Sequence, residues 1–358
     1  MTGGADRFLA ATRRQPSDAT PVWFMRQAGR SLPRYRELRE RFGFLELATN
    51  SELSADITCL PVEILGVDAA VVFADIMLPL QGMGVEFEIR ESVGPVIAQP
   101  LRSARQIAAL RVVDAEEATP YLFPAIRAAR ERLAGSAALV GFGAAPFTLA
   151  CYLVEGGGSR DYPHVRALIH SDPELWNRLM ATLTEVLGRY LAAQAAAGAD
   201  AIQLFDSWVG VLDRTTFVDH VAPHLQALAR RLRPMLPVVY FSTGSAHLLP
   251  SLADLGVDGV SVDWRVGLDE AWGLIGRGHF IQGNLDPSAV LAPWPVLRAR
   301  AEEVLSQAAG RPGHIFNLGH GVLPETDPGQ LRRLVELVHE FGPIPTRAAD
   351  RVPPGDSA

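Results

Sequence analysis

The chain has 358 residues, enough for two ordinary domains or one large α/β barrel. A formal net charge of −7 and a pI near 5.7 argue against a nucleic-acid binder, which carries a positive excess over a whole domain. All 33 basic residues are arginine, and without lysine there is no Schiff-base chemistry, no pyridoxal-phosphate attachment and no Walker phosphate loop.

In chain order, "MTGGADRFLAATRRQ" has no apolar core of signal-peptide length, so a cytoplasmic protein is expected. Cys59 and Cys151, the two cysteines, lie in no CxxC or HxC spacing, which points to neither a disulfide framework nor a thiolate metal site. The first apolar run, "VWFM" (22–25), leads into six arginines between positions 26 and 41, set against only Glu37 and Glu40. Arg34, Arg36 and Arg41 fit a solvated helix face. Arg26 and Arg30 differ: they flank "QAG", where Gly29 permits close backbone approach, and paired guanidinium forks there suit a polyanionic small molecule.

Seven more short apolar runs follow, at 67–73, 138–143, 200–205, 237–241, 257–262, 279–284 and 314–319, mostly separated by amphipathic stretches such as 172–198 and 294–310. Eight buried strands alternating with helices predict a single (β/α)8 TIM barrel over residues 1–346, with a doubly wound sheet as the alternative. A β-hairpin insertion centred on "SVGP" is expected after the second strand, within 84–100, and residues 347–358 read as a flexible tail. The uncharged stretch Leu133–Val154 is long enough to cross a bilayer, but its glycines and Pro146 make it a buried strand and a turn, so no membrane partner is expected.

In a barrel, functional side chains sit just past the C-terminal ends of the strands. Those positions hold Arg26, Asp75, Pro146 with Tyr152 beyond it, Asp206 with Ser207, Ser242, Asp263, Asn284 and His320. Asp75 can cap the next segment, balance the arginines, bind N–H groups of a ligand or stabilise developing positive charge. "GFGAAP" lacks the third glycine of a dinucleotide fingerprint; Pro146 instead opens a helix running to the glycines at 156–158. His220 and His224 share i, i+4 spacing, yet Pro223 between them weakens that helix and no HExxH glutamate accompanies them.

"PVWFMRQAGRSLPRYRELR" and "GFGAAPFTLACYLVEGGGS" resemble the two signatures of the uroporphyrinogen decarboxylase family, and "VVFADI", "GNLDP" and "FNLGHG" are similar to further segments in the family's order, covering about residues 7–342. The resemblance implies a cofactor-free, homodimeric (β/α)8 enzyme that removes four acetate carboxyls from uroporphyrinogen III to give coproporphyrinogen III. It implies catalytic roles for Asp75, Arg26 and Tyr152, and substrate contacts for Gln27, Arg30, Tyr35, Arg39, Ser207 and His320. "LFDSWVG" departs from the glutamate usual at position 206, leaving Asp206 without an assigned role, and the proton donor stays open among Arg26, Tyr152, His320 and a held water. Two rivals are a zinc methyltransferase on the same barrel, which needs a His/Cys-rich site, and a non-catalytic tetrapyrrole binder, for which a carboxylate in an anion cleft is superfluous.

Overall fold

The computed structural model describes residues 3–90 and 94–341. Seven parallel strands form one curled sheet: β1 (Ala69–Val71), β4 (Ala138–Ala144), β5 (Ala201–Asp206), β6 (Val238–Ser242), β7 (Gly259–Ser261), β8 (Phe280–Leu285) and β9 (His314–Leu318), each paired with the next. Residues of β4, β6, β8 and β9 are buried throughout, as expected of strands covered on both faces, so these runs read as near-continuous apolar segments. Helices fill the connections. The longest, Pro173–Ala197, starts with the Asp172 side chain accepting from the Leu175 N–H and stops where Gly198 takes φ +118°, a conformation that favours glycine.

The expected first strand, "VWFM", is corrected to a single bridge, Val22 to Phe316. Only the Trp23 N–H reaches the neighbouring strand, donating to Phe316 O at 3.3 Å; the other three amides are held by side chains. Val22 N–H donates to the Asp68 carboxylate at 2.8 Å, Phe24 N–H to Gln27 Oε1 at 2.9 Å and Met25 N–H to Asn317 Oδ1 at 3.0 Å. With side chains holding those donors, a regular ladder cannot form. The segment still lies between the two edges of the sheet, because Phe316 N–H donates to Pro21 O at 2.8 Å and Asp68 N–H donates to Val22 O at 2.8 Å.

β2 (Phe87–Arg90) and β3 (Gly94–Ile97) pair antiparallel apart from the main sheet, while residues 91–93, where the "SVGP" turn was expected to begin, and the tail 347–358 lie outside the described residues. β3 leans on the loop after helix Pro146–Glu155: Ile97 N–H donates to Gly156 O at 2.8 Å, and Gly156 adopts φ +93°. His220 and His224 fall on different helices, Arg214–His220 and Ala222–Leu232, broken at Val221, so the shared helical face does not exist. Among the described residues, no helix is long and apolar enough to cross a membrane.

At the N-terminal ends of the strands, Asp68 joins four parts of the chain. Its buried carboxylate accepts from Val22 N–H, approaches Arg7 at 3.3 Å and meets His339 Nε2 at 2.7 Å, tying helices Gly4–Thr12 and Pro328–Glu340 to the foot of β1.

Candidate active site

The opposite ends of the strands surround a cavity of about 620 Å³. It is built by the loop after Met25, the loop after β1, helix Pro146–Glu155, the ends of β4, β5 and β6, and the Gly321 loop after β9. Gathering of functional groups at the C-terminal rim of a parallel sheet is the pattern of barrel enzymes.

Arg26 projects here from a backbone at φ +60°, a left-handed conformation that costs a non-glycine residue about 1 kcal/mol. Two glycines make that posture possible. A Cβ on Gly29 would lie 2.8 Å from the Arg26 carbonyl, and one on Gly321 would lie 2.5 Å from Arg26 Cδ. Arg30 lines the same cavity, its carbonyl held by Arg36 Nη1 at 2.9 Å. Gln27 borders the cavity with its amide already committed, Oε1 to Phe24 N–H and Nε2 to Ala69 O at 2.8 Å, so its side chain braces the loop against β1.

Asp75 enters from the loop after β1. One carboxylate oxygen accepts Met77 N–H at 2.8 Å, which leaves the other available to the cavity. Burial pushes this carboxyl above the usual range, while the Met77 N–H and the Arg26 guanidinium pull it back. Tyr152 feels both neighbours: burial and the Asp75 charge push its phenol up to about 12 against Arg26, so at neutral pH it keeps its proton as a donor. Its ring meets Trp208 edge-on at 6.1 Å. Burial and the positive charges of Arg26 and Arg265 lower His320 to about 4 despite Asp263, making it a neutral imidazole at pH 7.

Ser207 follows β5 into the cavity, its carbonyl accepting from Thr243 Oγ1 at 3.1 Å. Tyr35 is buried against Phe73, with ring centroids 5.6 Å apart. Arg39 is the exception among the expected contacts. It does not line the cavity; its Nη1 donates to Phe42 O at 2.9 Å at the end of helix Pro33–Arg41, and its charge is felt by Tyr35. Ser242, Asp263 and Asn284, all at strand ends, bond internally instead: Ser242 to Ser245, Asp263 to Gly244 N–H and Arg265, and Asn284 to the carbonyls of Asp263 and Val266.

Two contributors escape the sequence reading. One is Gly321, whose missing Cβ makes room for the Arg26 stem; the "GHG" around His320 was its only trace. The other is a run of aromatic edges, Phe142 to Phe205 at 5.7 Å, Phe205 to Phe241 at 5.9 Å and Phe241 to His320 at 6.1 Å, which gives the cavity an apolar wall. A phenylalanine near the end of each of three successive strands was the available signal. The site thus combines guanidiniums for anions, one carboxylate, neutral hydroxyl and imidazole groups, and apolar rings. Among the described residues, no three His, Cys, Asp or Glu side chains converge as a metal site.

The family model described as "Uroporphyrinogen decarboxylase (URO-D)" matches residues 4–341. A uroporphyrinogen decarboxylase from Roseiflexus sp. (strain RS-1) is 49% identical over 341 residues, covering 94% of this chain and 98% of the relative. One from Sorangium cellulosum (strain So ce56) is 49% identical over 337 residues, covering 94% and 96%. Among solved structures, a methyltransferase from Methanosarcina mazei superposes with a TM-score of 0.78 at 23% identity, covering 95% of this chain and 99% of that one, a likeness of fold.

Proposed function

The chain belongs to the uroporphyrinogen decarboxylase family, and from that premise we propose that it removes the four acetate carboxyls of uroporphyrinogen III to give coproporphyrinogen III in tetrapyrrole biosynthesis. The observation that carries this reading is the position of Asp75 beside Arg26 and Tyr152 in one partly enclosed cavity. Anion binding alone gains nothing from a carboxylate there; a substrate that is anionic at its edge and becomes cationic at its centre does.

Loss of CO₂ from an acetate leaves an electron pair on a CH₂ carbon. A pyrrole protonated at the ring carbon beside the acetate accepts that pair through its iminium nitrogen, so the broken C–C bond becomes an exocyclic C=C. Protonation of that methylene to a methyl group and loss of the added ring proton restore the pyrrole, with one proton consumed per CO₂ and the substrate itself serving as the electron sink. Asp75 takes the pyrrole N–H groups on its free oxygen and stabilises the cationic ring before CO₂ leaves. Arg26 and Arg30 receive carboxylates by charge-assisted hydrogen bonds. Tyr152, Ser207 and neutral His320 orient the substrate, Tyr35 shapes the wall, and Arg39 acts from behind it. No cofactor is needed for this chemistry. With residues 21–25 as an eighth stave, the sheet closes as a single (β/α)8 barrel domain carrying β2 and β3 as a hairpin beside the cavity, and the family resemblance supports a homodimer.

The test is anaerobic incubation of the purified protein with uroporphyrinogen III, followed by oxidation and separation of the porphyrins by carboxyl number. A chelator-insensitive progression from eight carboxyls to four is expected. Unchanged substrate from folded protein would defeat the reading.

A further inference from the structure

Asp206 ends β5 fully buried, and the decarboxylation chemistry above makes no use of it. Its two oxygens each take one neutral donor: Thr148 Oγ1 at 2.8 Å and Tyr240 Oη at 2.7 Å. The groups facing it are Thr148 and Cys151 from helix Pro146–Glu155 and Tyr240 from β6. A buried carboxyl without a countercharge is a cost that an apolar side chain would avoid, and burial pushes this one up to about 6.

The partner hydroxyl explains what that cost accomplishes. Thr148 lies in the first turn of helix Pro146–Glu155, where no earlier helical turn offers its hydroxyl the i−4 carbonyl that an interior threonine uses. Here it donates outward to the strand. Thr148 and Tyr152 are one turn apart, on the same helical face. The carboxyl, itself gripped by Tyr240 of the next strand, therefore fixes the rotation and height of the helix that presents Tyr152 to the cavity.

We propose that Asp206 is a positioning residue that sets the placement of Tyr152 through Thr148. This rests on the decarboxylase reading of the cavity. Its consequence is kinetic: a phenol displaced by a fraction of an ångström still admits substrate but meets the reacting pyrrole poorly.

Three variants test it: Thr148→Val, which keeps shape and removes the donor, Thr148→Ser, which restores it, and Asp206→Asn. Initial rates on uroporphyrinogen III are measured for each, for Tyr152→Phe alone, and for Thr148→Val combined with Tyr152→Phe. We expect Thr148→Val and Asp206→Asn to lower kcat about 10- to 100-fold with KM within about threefold, and Thr148→Ser to recover most of it. In the Tyr152→Phe background, Thr148→Val should cost little more, because both changes act on the same phenol. Unchanged kcat in folded Thr148→Val, or full additivity with Tyr152→Phe, overturns the inference. A folded wild type without turnover overturns the decarboxylase reading and this inference with it, whereas an active wild type with insensitive variants overturns this inference alone.

Discussion

Replacing Asp75 by asparagine separates the cost of the site from its use. The substitution keeps an oxygen for the Met77 N–H, bonded at 2.8 Å, and removes only the charge. A ligand N–H on the free oxygen would sit about 3 Å away, and at an effective dielectric near 20 a unit charge pair at about 4 Å is worth about 4 kcal/mol. Arg26 already offsets part of that field and the asparagine dipole keeps another part, so roughly 3–4 kcal/mol of transition-state stabilisation is lost. That corresponds to a rate reduction of about 10²–10³. Because burial disfavours the ionised Asp75, the same change should leave the melting temperature equal or raise it. The assay is the initial anaerobic rate of the first decarboxylation, eight carboxyls to seven, alongside a thermal melt. A folded Asp75→Asn protein within about tenfold of wild type would refute the electrostatic role assigned to this carboxylate.

Gly321→Ala should reduce kcat/KM by about 10- to 100-fold without a large stability loss, because its Cβ would fall 2.5 Å from Arg26 Cδ and displace that guanidinium; steady-state kinetics and a melt check both halves. Asp68→Ala strips an acceptor from Val22 N–H, Arg7 and His339 together and should cost about 3–5 kcal/mol, read from denaturant unfolding. Burial lowers the enclosed His314 imidazole from 6.5 to about 4. The unfolded chain therefore takes up its proton first as pH falls, so stability is intact above about 6.5 and drains by roughly 3 kcal/mol between 6.5 and 4. His314→Gln should flatten that acid limb, which unfolding curves at pH 7 and pH 5 would reveal; an unchanged slope would assign the limb to other groups.

Strands such as "ALVGFG" and "HIFNLG" were legible because burial on both faces leaves an unbroken apolar run, and Asp75 and Arg26 were legible because they stand just past such runs. What stayed hidden depends on distant partners. Nothing local in "VWFM" says that its amides are claimed by Asp68, 46 residues on, and by Asn317, 292 residues on, so a strand was expected where one bridge exists. Gln27 sits in the signature beside Arg26, but only the fold shows both ends of its amide spent on backbone. Arg39 shares the helical spacing of its neighbours, and only the fold shows its guanidinium spent on the Phe42 carbonyl at the helix end and not lining the cavity. The role of Asp206 rests on Thr148 and Tyr240, 58 and 34 residues away, a pairing that leaves no mark in the sequence around it.

The seam at Val22 has one more implication. A backbone ladder lies largely beyond the reach of substitution, since every residue except proline brings the same N–H and C=O. Here three of the amides are fastened by Asp68, Gln27 and Asn317, so the firmness of the segment that carries Arg26 is written in replaceable letters. Single point changes can slacken or tighten that edge in small steps, which makes the backbone footing of the cavity's arginine-bearing part adjustable.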